Sequence, residues 1–544
     1  MKPVPRHAQV AIDFGRLAGP PLARDRISLF NSGLVTAATY RRDAEHFRAS
    51  APEHLRIDLG WGAEWMPWTR EVVTRDADGV RYDFEETDEI ARVLGDLGVR
   101  PYWSYCYVPR ALRAPGADWR TLAQDDQPWV DLVVEYARGA AGRGVEIGYH
   151  EIYNEPDLRD ERTAEPVFFA GDLDDYLSLY RRASRALREA VPGARIGGPA
   201  LASVARNADW LRPFLDMVVD EELPLDFLSF HHYGTYGAPS ALATVVRILD
   251  DYPQLDQVEL HLNEYNSFTI DYPRGGLQDS YLLAGAFAAD LPLLLGTRRL
   301  TRTSWAQFLD SGNDNYSGMV DIDGRAKPLF HAYRFFQEMP VDARSVAVSG
   351  VPGVGALASA DEGRGACLVW NRSTADVEVS VSAFGGHPAT SLRLVDSAHP
   401  GDAVVAWDGG PFLLERGAVA GLVFGDGEPA RTGRRRYRAR YDYADRVPGA
   451  WTDVDETDGV VRIGSGEATR PIRVGVEVPG TVSEADLGLE VSVVDREGRP
   501  APGTLETATE TVAGGTAVWF TLRDAAPHVF ARATLDRQDQ PRDL

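Results

Sequence analysis

Residues 148–155 have the sequence GYHEIYNE, a short apolar run that ends in a polar Asn154–Glu155 pair. Seven similar runs lie between Ile27 and Pro340, and segments of helical periodicity separate them. In chain order the eight runs are ISLFNSGL, HLRIDLG, RPYWSYCYVP, GYHEIYNE, ARIGGPA, DFLSFHHYG, VELHLNEYN and LTRTSWAQFLD. Eight strands, each followed by a helix, over about 310 residues are typical of a (β/α)₈ barrel. A doubly wound open sheet is the alternative, but no GxGxxG turn follows the first run.

The composition changes after Pro340. Short segments such as ACLVWN and VEVSVSAF are rich in Val, Leu and Ala, and Gly, Pro and Asp separate them, a pattern typical of an antiparallel sandwich. We therefore predict an α/β fold, a (β/α)₈ TIM barrel followed by C-terminal β-sandwich modules. The predicted divisions are an N-terminal strand segment that could join the sandwich (1–26), the catalytic barrel (27–340), a β-sandwich (341–430) and a second β-rich module (431–544).

Charge and cysteine content limit the possible partners and compartments. The 544 residues carry a formal net charge of −24, which opposes binding to nucleic acid or to an anionic membrane surface. The two cysteines cannot form a disulfide framework, and the eleven histidines include no HExxH motif, so no metal site is predicted. The N-terminal sequence lacks the continuous apolar core of a signal peptide, and no apolar span of about 18 residues occurs. We expect a cytoplasmic protein.

Two acids stand where such a barrel places its active site, at the carboxyl ends of the strands. Glu155 ends the fourth run and Glu264 lies near the end of the seventh. Either one alone could equally form a salt bridge at a strand end. Two of them on opposite sides of one cavity fit glycoside hydrolysis, in which one carboxyl donates a proton while the other, ionised, attacks or stabilises the sugar. The adjacent Asn154 offers an amide that could bind a sugar hydroxyl.

These segments resemble a known family. EIYNEPDL resembles the acid/base motif, and HLNEYNSF the nucleophile motif, of retaining barrel glycosidases. Further stretches, among them RPYWSYCYVPRAL, LPLDFLSFHHY and KPLFHAYRFFQEM, resemble glycoside hydrolase family 39, the family of β-xylosidases and α-L-iduronidases. The resemblance implies that Glu155 is the acid/base, that Glu264 is the nucleophile and that Asn154 binds the sugar 2-hydroxyl. This chemistry requires no cofactor and no metal.

The resemblance extends to other pocket residues. His231 and Tyr233 match the His and aromatic residue of the sixth strand, which line the sugar subsite. Trp305 corresponds to an aromatic platform under the sugar ring. Arg56 matches a second-strand Arg that supports the nucleophile electrostatically. For His231 and Trp305, a purely structural place in the core is the alternative.

Departures from the family pattern concern the residues that select the sugar. Asp58 stands where the family usually has a substrate-binding His, and Ser104 where an acid is common. Tyr153 replaces a Trp, and Asn263 replaces a Thr. Because replacing a hydrogen-bonding group changes discrimination by large factors, the sugar is left open among xylose, galactose, glucose and arabinose.

The function predicted from these residues is that of a retaining exo-glycosidase acting on a β-xyloside-like bond through a covalent intermediate. A retaining glycosidase of other sugar specificity, such as a β-galactosidase, β-glucosidase or arabinosidase, is the first alternative. A non-catalytic carbohydrate-binding barrel is another, and a structural protein organised by the sandwiches is a third. The expected partner is an oligosaccharide or glycoside substrate, and a homo-oligomer is possible.

Overall fold

A computed structural model provides the fold. It describes residues 6–33, 35–64, 71–76, 79–122, 126–234, 237–267, 279–310, 317–321, 324–385, 388–399, 401, 404–425, 436–442, 452–455, 460–464, 473–479, 488–494, 500–512, 515–524 and 530–536. The chain divides into two compact units. One comprises Ala23–Thr269 and Asp290–Ser311, and the other comprises Met1–Leu22, Ile270–Ala289 and Gly312–Leu544.

Strands and helices alternate through the first part of the chain. The strands are β1 (Arg6–Leu17), β2 (Ile27–Asn31), β3 (His54–Asp58), β4 (Val73–Asp76), β5 (Gly79–Tyr82), β6 (Arg100–Tyr105), β7 (Tyr149–Ile152), β8 (Ile196–Leu201), β9 (Phe227–Tyr233), β10 (Glu259–Asn266) and β11 (Leu300–Ala306). The helices are α1 (Ala37–Arg42), α2 (Ala44–Ser50), α3 (Glu85–Asp96), α4 (Gln127–Ala140), α5 (Leu173–Ala190), α6 (Val204–Asp220), α7 (Ala238–Asp250), α8 (Tyr281–Gly296) and α9 (Pro328–Glu338).

Eight parallel strands close into a barrel in the order β10-β11-β2-β3-β6-β7-β8-β9. Strands β2, β3 and β7 are buried along their whole length, as expected for parallel strands covered on both faces. Each of the eight predicted runs contains one barrel strand, so the closed barrel is confirmed over the open doubly wound sheet. The carboxyl ends of the strands consequently lie at one end of the barrel, where Glu155 and Glu264 were predicted to meet.

Helix α5 illustrates how the sequence specifies the segments between strands. Asp172 caps the helix by accepting from the backbone N–H of Asp175 at 3.1 Å, and the Asp175 side chain accepts from the N–H of Asp172 at 3.0 Å. This reciprocal pair satisfies two backbone donors that a helix start leaves without partners. The buried face carries Tyr176, Leu179 and Tyr180, at the spacing of one side of a helix.

The second unit is rich in β-strands. They are β12 (Ala343–Ser349), β13 (Val354–Ala360), β14 (Arg364–Asn371), β15 (Val377–Phe384), β16 (Ala389–Val395), β17 (Val405–Ala406), β18 (Phe412–Leu414) and β19 (Val419–Gly425). With β1 they form a nine-stranded sheet in the order β17-β16-β19-β14-β13-β12-β1-β15-β18. Apolar side chains from β1, β13, β14, β15 and β19 share one buried cluster, so this sheet curls around a core of its own. Strand β1 is antiparallel to β12 and parallel to β15.

Two smaller sheets follow. The strands are β20 (Arg436–Asp442), β21 (Thr452–Asp455), β22 (Val460–Gly464), β23 (Arg473–Pro479), β24 (Gly488–Val494), β25 (Thr504–Val512), β26 (Gly515–Arg523) and β27 (Phe530–Asp536). They pair as β21-β20-β23-β26-β25 and β22-β27-β24. The assignment of these regions to sandwich modules, and the domain boundaries at 26, 340 and 430, stay predictions. No helix among the described residues is long and apolar enough to cross a membrane.

Candidate active site

The two predicted acids lie where strands end at the carboxyl rim. Glu155 follows β7 by three residues and has φ 45°, and Tyr153 before it has φ 71°. Left-handed backbone is costly for residues other than glycine, and such positions concentrate at functional sites. A bond from the Glu155 N–H to the Ala200 carbonyl, 3.1 Å, holds the turn in place. Glu264 lies in β10 beside a register shift in its pairing with β9.

The structure brings the two carboxyls together. One oxygen of each acid and a ring nitrogen of His231 all lie within 4.8 Å of one another. The side chains of Glu155 and Glu264 retain only 10% and 7% exposure. His231 Nδ1 lies 2.7 Å from Glu155 Oε1 and 3.7 Å from Glu264 Oε1, so its ring stands between the acids.

Glu155 is set up to remain protonated. Burial and, less strongly, the neighbouring charge of Asp157 raise its pKa to about 8 against the opposing charge of Arg56. Asp157 is itself buried and fixed by bonds from the Ala202 N–H at 2.8 Å and from Asn207 Nδ2 at 2.7 Å. At neutral pH the carboxyl of Glu155 therefore carries a proton that it can donate.

Glu264 has a different environment. Arg56 Nη1 donates to its Oε1 at 2.7 Å, and the hydroxyl of Tyr233 donates to its Oε2 at 2.6 Å. Burial raises the pKa of Glu264, while the charges of His231 and Arg56 and the bond from Tyr233 act in the opposite direction. Both oxygens accept bonds, which favours the ionised form, so the more nucleophilic of the two carboxyls is Glu264.

Arg56 connects the acids to the rest of the pocket. Its guanidinium is fully buried and donates from Nη2 to Asn154 Oδ1 at 2.8 Å and from Nε to Glu151 Oε2 at 2.8 Å. Asp58 Oδ1 lies 3.1 Å from Nη1. Burial alone would lower the pKa of Arg56, but the carboxylates of Glu151, Asp58 and Glu264 raise it well above its ordinary value.

The structure therefore gathers most of the predicted site residues into one group. We call this group the rim cluster; its members are Arg56, Asp58, Asn154, Glu155, His231, Tyr233 and Glu264. Trp305 is buried in β11 with its ring edge-to-face against Tyr265 at 5.8 Å. The platform role of Trp305 stays a prediction.

Glu151 is the main residue that sequence reasoning missed. It lies inside β7, fully buried, and accepts from Arg56, from Asn263 Nδ2 at 2.5 Å and from the Tyr102 hydroxyl at 3.3 Å. A Glu in the middle of a predicted barrel strand was the available signal, because a buried acid requires a partner. Asn263, one of the departures from the family pattern, contacts this acid.

Two other departures also have structural partners. Ser104 Oγ donates to the Tyr153 carbonyl at 3.1 Å, and the Tyr153 hydroxyl donates to the Phe168 carbonyl at 3.1 Å. Both side chains are buried. They brace the strained turn that carries Glu155.

Glu155, His231 and Glu264 have the number and spacing of metal ligands. The guanidinium of Arg56, however, already lies against Glu264 at 2.7 Å as a fixed cation. Its charge repels a second cation at this position. The group is therefore better suited to proton transfer and nucleophilic attack than to holding a metal.

Comparisons with known proteins agree with this geometry. Residues 36–270 match the model of glycosyl hydrolases family 39. A β-xylosidase of Caldicellulosiruptor saccharolyticus is 30% identical over 183 residues, 31% of this chain and 35% of that protein. A β-xylosidase of Geobacillus stearothermophilus is 26% identical over 299 residues, 47% of this chain and 56% of that protein. The chain thus matches about a third and just over half of the length of these two relatives.

Solved structures share the fold. The GH39 enzyme from Xanthomonas axonopodis pv. citri superposes with a TM-score of 0.61 at 18% identity, covering 78% of this chain and 98% of that chain. A monomeric β-xylosidase from Caulobacter crescentus CB15 superposes with a TM-score of 0.60 at 18% identity, covering 77% of this chain and 100% of that chain. Residues 36–270 of this chain are thus similar to glycosyl hydrolases family 39.

Proposed function

We propose that this protein is a retaining exo-glycosidase that hydrolyses a β-xyloside-like bond by double displacement. The observation that carries the proposal is the close pair Glu155 and Glu264, with carboxyl oxygens within 4.8 Å. Retaining glycosidases hold their carboxyl groups about 5–5.5 Å apart, and inverting ones about 6.5–9.5 Å apart to admit a water. The two β-xylosidase relatives support xylose as the first sugar to test.

The reaction uses the difference between the two acids. Glu155 gives its proton to the glycosidic oxygen while Glu264 attacks the anomeric carbon, and the aglycone leaves. Glu155, now ionised, removes a proton from water, which attacks the same carbon and releases Glu264. With a pKa of about 8, Glu155 is protonated for the first step, and once it has given up this proton its carboxylate can act as the base in the second.

Asn154 is placed to bind the sugar. Its Oδ1 accepts from Arg56 at 2.8 Å, which fixes the amide with Nδ2 3.4 Å from the Tyr107 hydroxyl. Nδ2 is the group that would donate to the sugar 2-hydroxyl, a bond that strengthens in the transition state.

Asp58 supports a second candidate, a retaining glycosidase for another sugar. It is buried at the carboxyl end of β3, and its pKa is raised well above the ordinary value by burial and by the charges of Glu264 and Glu151, against the effect of Arg56. A carboxyl presents its polar atoms at a different spacing and in different directions from the imidazole of the His that the family usually has there. It can therefore bind a differently oriented hydroxyl pair.

A panel of nitrophenyl glycosides tests these proposals. We expect turnover of at least one β-glycoside, with the xyloside first, and proton NMR of the first-formed sugar should show the anomer of the substrate. Glu264→Ala should lower kcat by at least about 10³, because a nucleophile removed from a catalytic unit is not replaced. Glu259→Gln, which changes an acid outside the rim cluster, is the matched control.

Three outcomes contradict parts of the proposal. Inverted product rules out double displacement. Undiminished turnover by Glu264→Ala removes the nucleophile role. Sugar binding without turnover of any member of the panel identifies the non-catalytic carbohydrate-binding barrel.

A further inference from the structure

Glu151 is a buried acid that the proposed reaction does not use. Its hydrogen-bond partners among the described residues are donors: Oε2 accepts from Arg56 Nε at 2.8 Å, and Oε1 accepts from Asn263 Nδ2 at 2.5 Å and from the Tyr102 hydroxyl at 3.3 Å. Arg56 Nη2 also lies 2.7 Å from Oε2. A carboxyl surrounded only by donors is in its ionised, acceptor-only form. Glu151 therefore places a negative charge inside the barrel.

The same guanidinium touches Glu151 and the proposed nucleophile. Arg56 directs Nη1 to Glu264 Oε1 at 2.7 Å, while Nε and Nη2 face Glu151. The guanidinium carbon lies 5.0 Å above the ring of Phe30, and Arg56 has no exposed surface. In such a low-dielectric site a positive charge acts strongly on its neighbours. Without a nearby negative charge, Arg56 would stabilise the carboxylate of Glu264 more strongly and make it a weaker nucleophile.

We propose that Glu151 is a positioning residue, the buried counter-ion of Arg56, which fixes the guanidinium and limits how much of its positive charge acts on Glu264. The proposal rests on the proposed function for the role of Glu264 in catalysis, but the charge balance itself is a property of the folded protein. It also assigns a role to Asn263, whose amide holds the far oxygen of Glu151.

Other titratable groups face this ion pair. The carboxyls of Asp58 from β3 and of Glu155 after β7, both with raised pKa values, lie near it, His231 faces it from β9, and Tyr233 binds Glu264. On the opposite side, the Tyr102 hydroxyl lies 3.2 Å from His261 Nδ1, and Tyr176 of α5 is close enough for Glu151 to raise its pKa. Burial lowers the pKa of His231, and burial lowers that of His261 to about 4. The Glu151 charge is the one that a single substitution removes cleanly.

Glu151→Gln is the primary test. Gln keeps the shape and can still accept from Arg56. Asn263 Oδ1 is buried without a hydrogen-bond partner, so a turn of the Asn263 amide offers an acceptor to the new NH₂ group. Glu259→Gln is the control, because it makes the same change on the same strand as Glu264, at the amino end of β10. Glu151→Asp keeps the charge but moves it away from Arg56.

The readout is the pH dependence of carbodiimide labelling of Glu264, followed by peptide mass spectrometry, since this reagent reacts with the protonated carboxyl. In Glu151→Gln we expect the labelling midpoint to fall by about 1 pH unit, the size of effect of one close like charge. Glu151→Asp should show a smaller fall, and Glu259→Gln none. The acidic limb of kcat/KM should move with the midpoint.

A thermal midpoint that drops while the labelling midpoint of Glu264 stays fixed overturns the counter-ion role and leaves Glu151 as a purely structural residue. If Glu151→Gln does not fold, the graded fall in Glu151→Asp decides the same question. Labelling of Glu264 does not require turnover. If the wild-type protein cleaves no glycoside, the proposed function is refuted, but the labelling midpoints still test whether Glu151 is the counter-ion of Arg56.

Discussion

Two groups of polar side chains in the described part of the barrel differ in their electrostatic character. The rim cluster lies at the carboxyl ends of the strands. A second group, which we call the amino-end cluster, lies at their starts and consists of His54, Tyr149, Arg195, Glu259, His261 and Arg302. In the amino-end cluster Glu259 accepts from His261 Nε2 at 2.9 Å, from the Tyr149 hydroxyl at 3.0 Å and from Arg195.

The pKa values of the acids in the two clusters are shifted in opposite directions from their ordinary value. Burial alone would raise the pKa of Glu259, but the hydrogen bond from His261 and the charge of Arg195 lower it to about 2. Burial and the charge of Asp157 raise the pKa of Glu155 to about 8, against the opposing charge of Arg56. Complete pairing stabilises a fold, whereas incomplete pairing keeps a proton available near neutral pH. The comparison shows that burial of charge alone does not distinguish an active site from a structural ion-pair network.

The largest expected contrast is in activity. Glu155→Gln should lower kcat/KM for glycosides with poor leaving groups by about 10²–10⁴, because the proton donor is lost. Glycosides with strongly acidic leaving groups should lose much less. The alkaline limb near pH 8 should disappear, because it reports deprotonation of Glu155. Initial rates across pH check this.

Glu259→Gln is the matched change in the amino-end cluster. It should leave the pH profile and the leaving-group dependence unchanged. A comparable loss of activity in this variant would remove the functional distinction between the two clusters.

The second contrast concerns the Tyr233 hydroxyl, which donates to Glu264 at 2.6 Å. Tyr233→Phe removes a hydrogen bond to a charged group, worth about 1.5–3 kcal/mol, so kcat/KM should fall by about 10–100-fold. Because this bond favours the ionised form of Glu264, its loss should move the acidic limb of kcat/KM to higher pH. An unchanged acidic limb would mean that Tyr233 does not influence the ionisation of Glu264.

The sequence predicted the barrel and most of the rim cluster for physical reasons. Apolar runs such as residues 148–155 show strand length and burial directly, and an acid at the end of such a run is conspicuous. Glu151 was passed over because its partners Arg56, Asn263 and Tyr102 come from three other positions along the chain. Only the closed barrel brings them together. The strained turn at Glu155 was equally invisible, because backbone dihedrals of Glu and Tyr are not encoded in local pattern.

The third contrast is in stability. The folded-state pKa of Glu259, about 2, lies below its ordinary value of 4.5. Its ionisation therefore stabilises the fold above about pH 4.5, and this contribution is lost as the pH falls toward 2. Glu259→Gln should destabilise the protein at pH 7 by about 1–3 kcal/mol. Scanning calorimetry at pH 7 and pH 3 checks this, and the difference from wild type should shrink at the lower pH.

Glu155→Gln should change the stability at pH 7 in the opposite direction. The folded-state pKa of Glu155, about 8, lies above the ordinary 4.5, so wild-type stability falls as the pH rises from about 4.5 to 8. Gln removes this penalty and keeps the acceptor for His231 Nδ1. The variant should therefore be more stable than wild type at pH 7 by about 1–3 kcal/mol, and about equal to it near pH 4. Destabilisation at both pH values would show that Glu155 is not held protonated.

The smallest contrast is expected for Tyr149→Phe, which makes in the amino-end cluster the change that Tyr233→Phe makes in the rim cluster. Tyr149→Phe removes one of several donors to Glu259, a 3.0 Å bond, and leaves His261 and Arg195 in place. The hydroxyl also accepts from Arg302 Nη2 at 3.3 Å. We expect a loss of about 1–2 kcal/mol in unfolding free energy, because these two hydrogen bonds are lost, and unchanged kcat/KM across pH, because no group near the carboxyl pair changes. Denaturation and the nitrophenyl panel measure both quantities on one preparation. A shift of either limb of the pH profile would mean that the clusters are coupled through Tyr102, whose hydroxyl lies between His261 and Glu151.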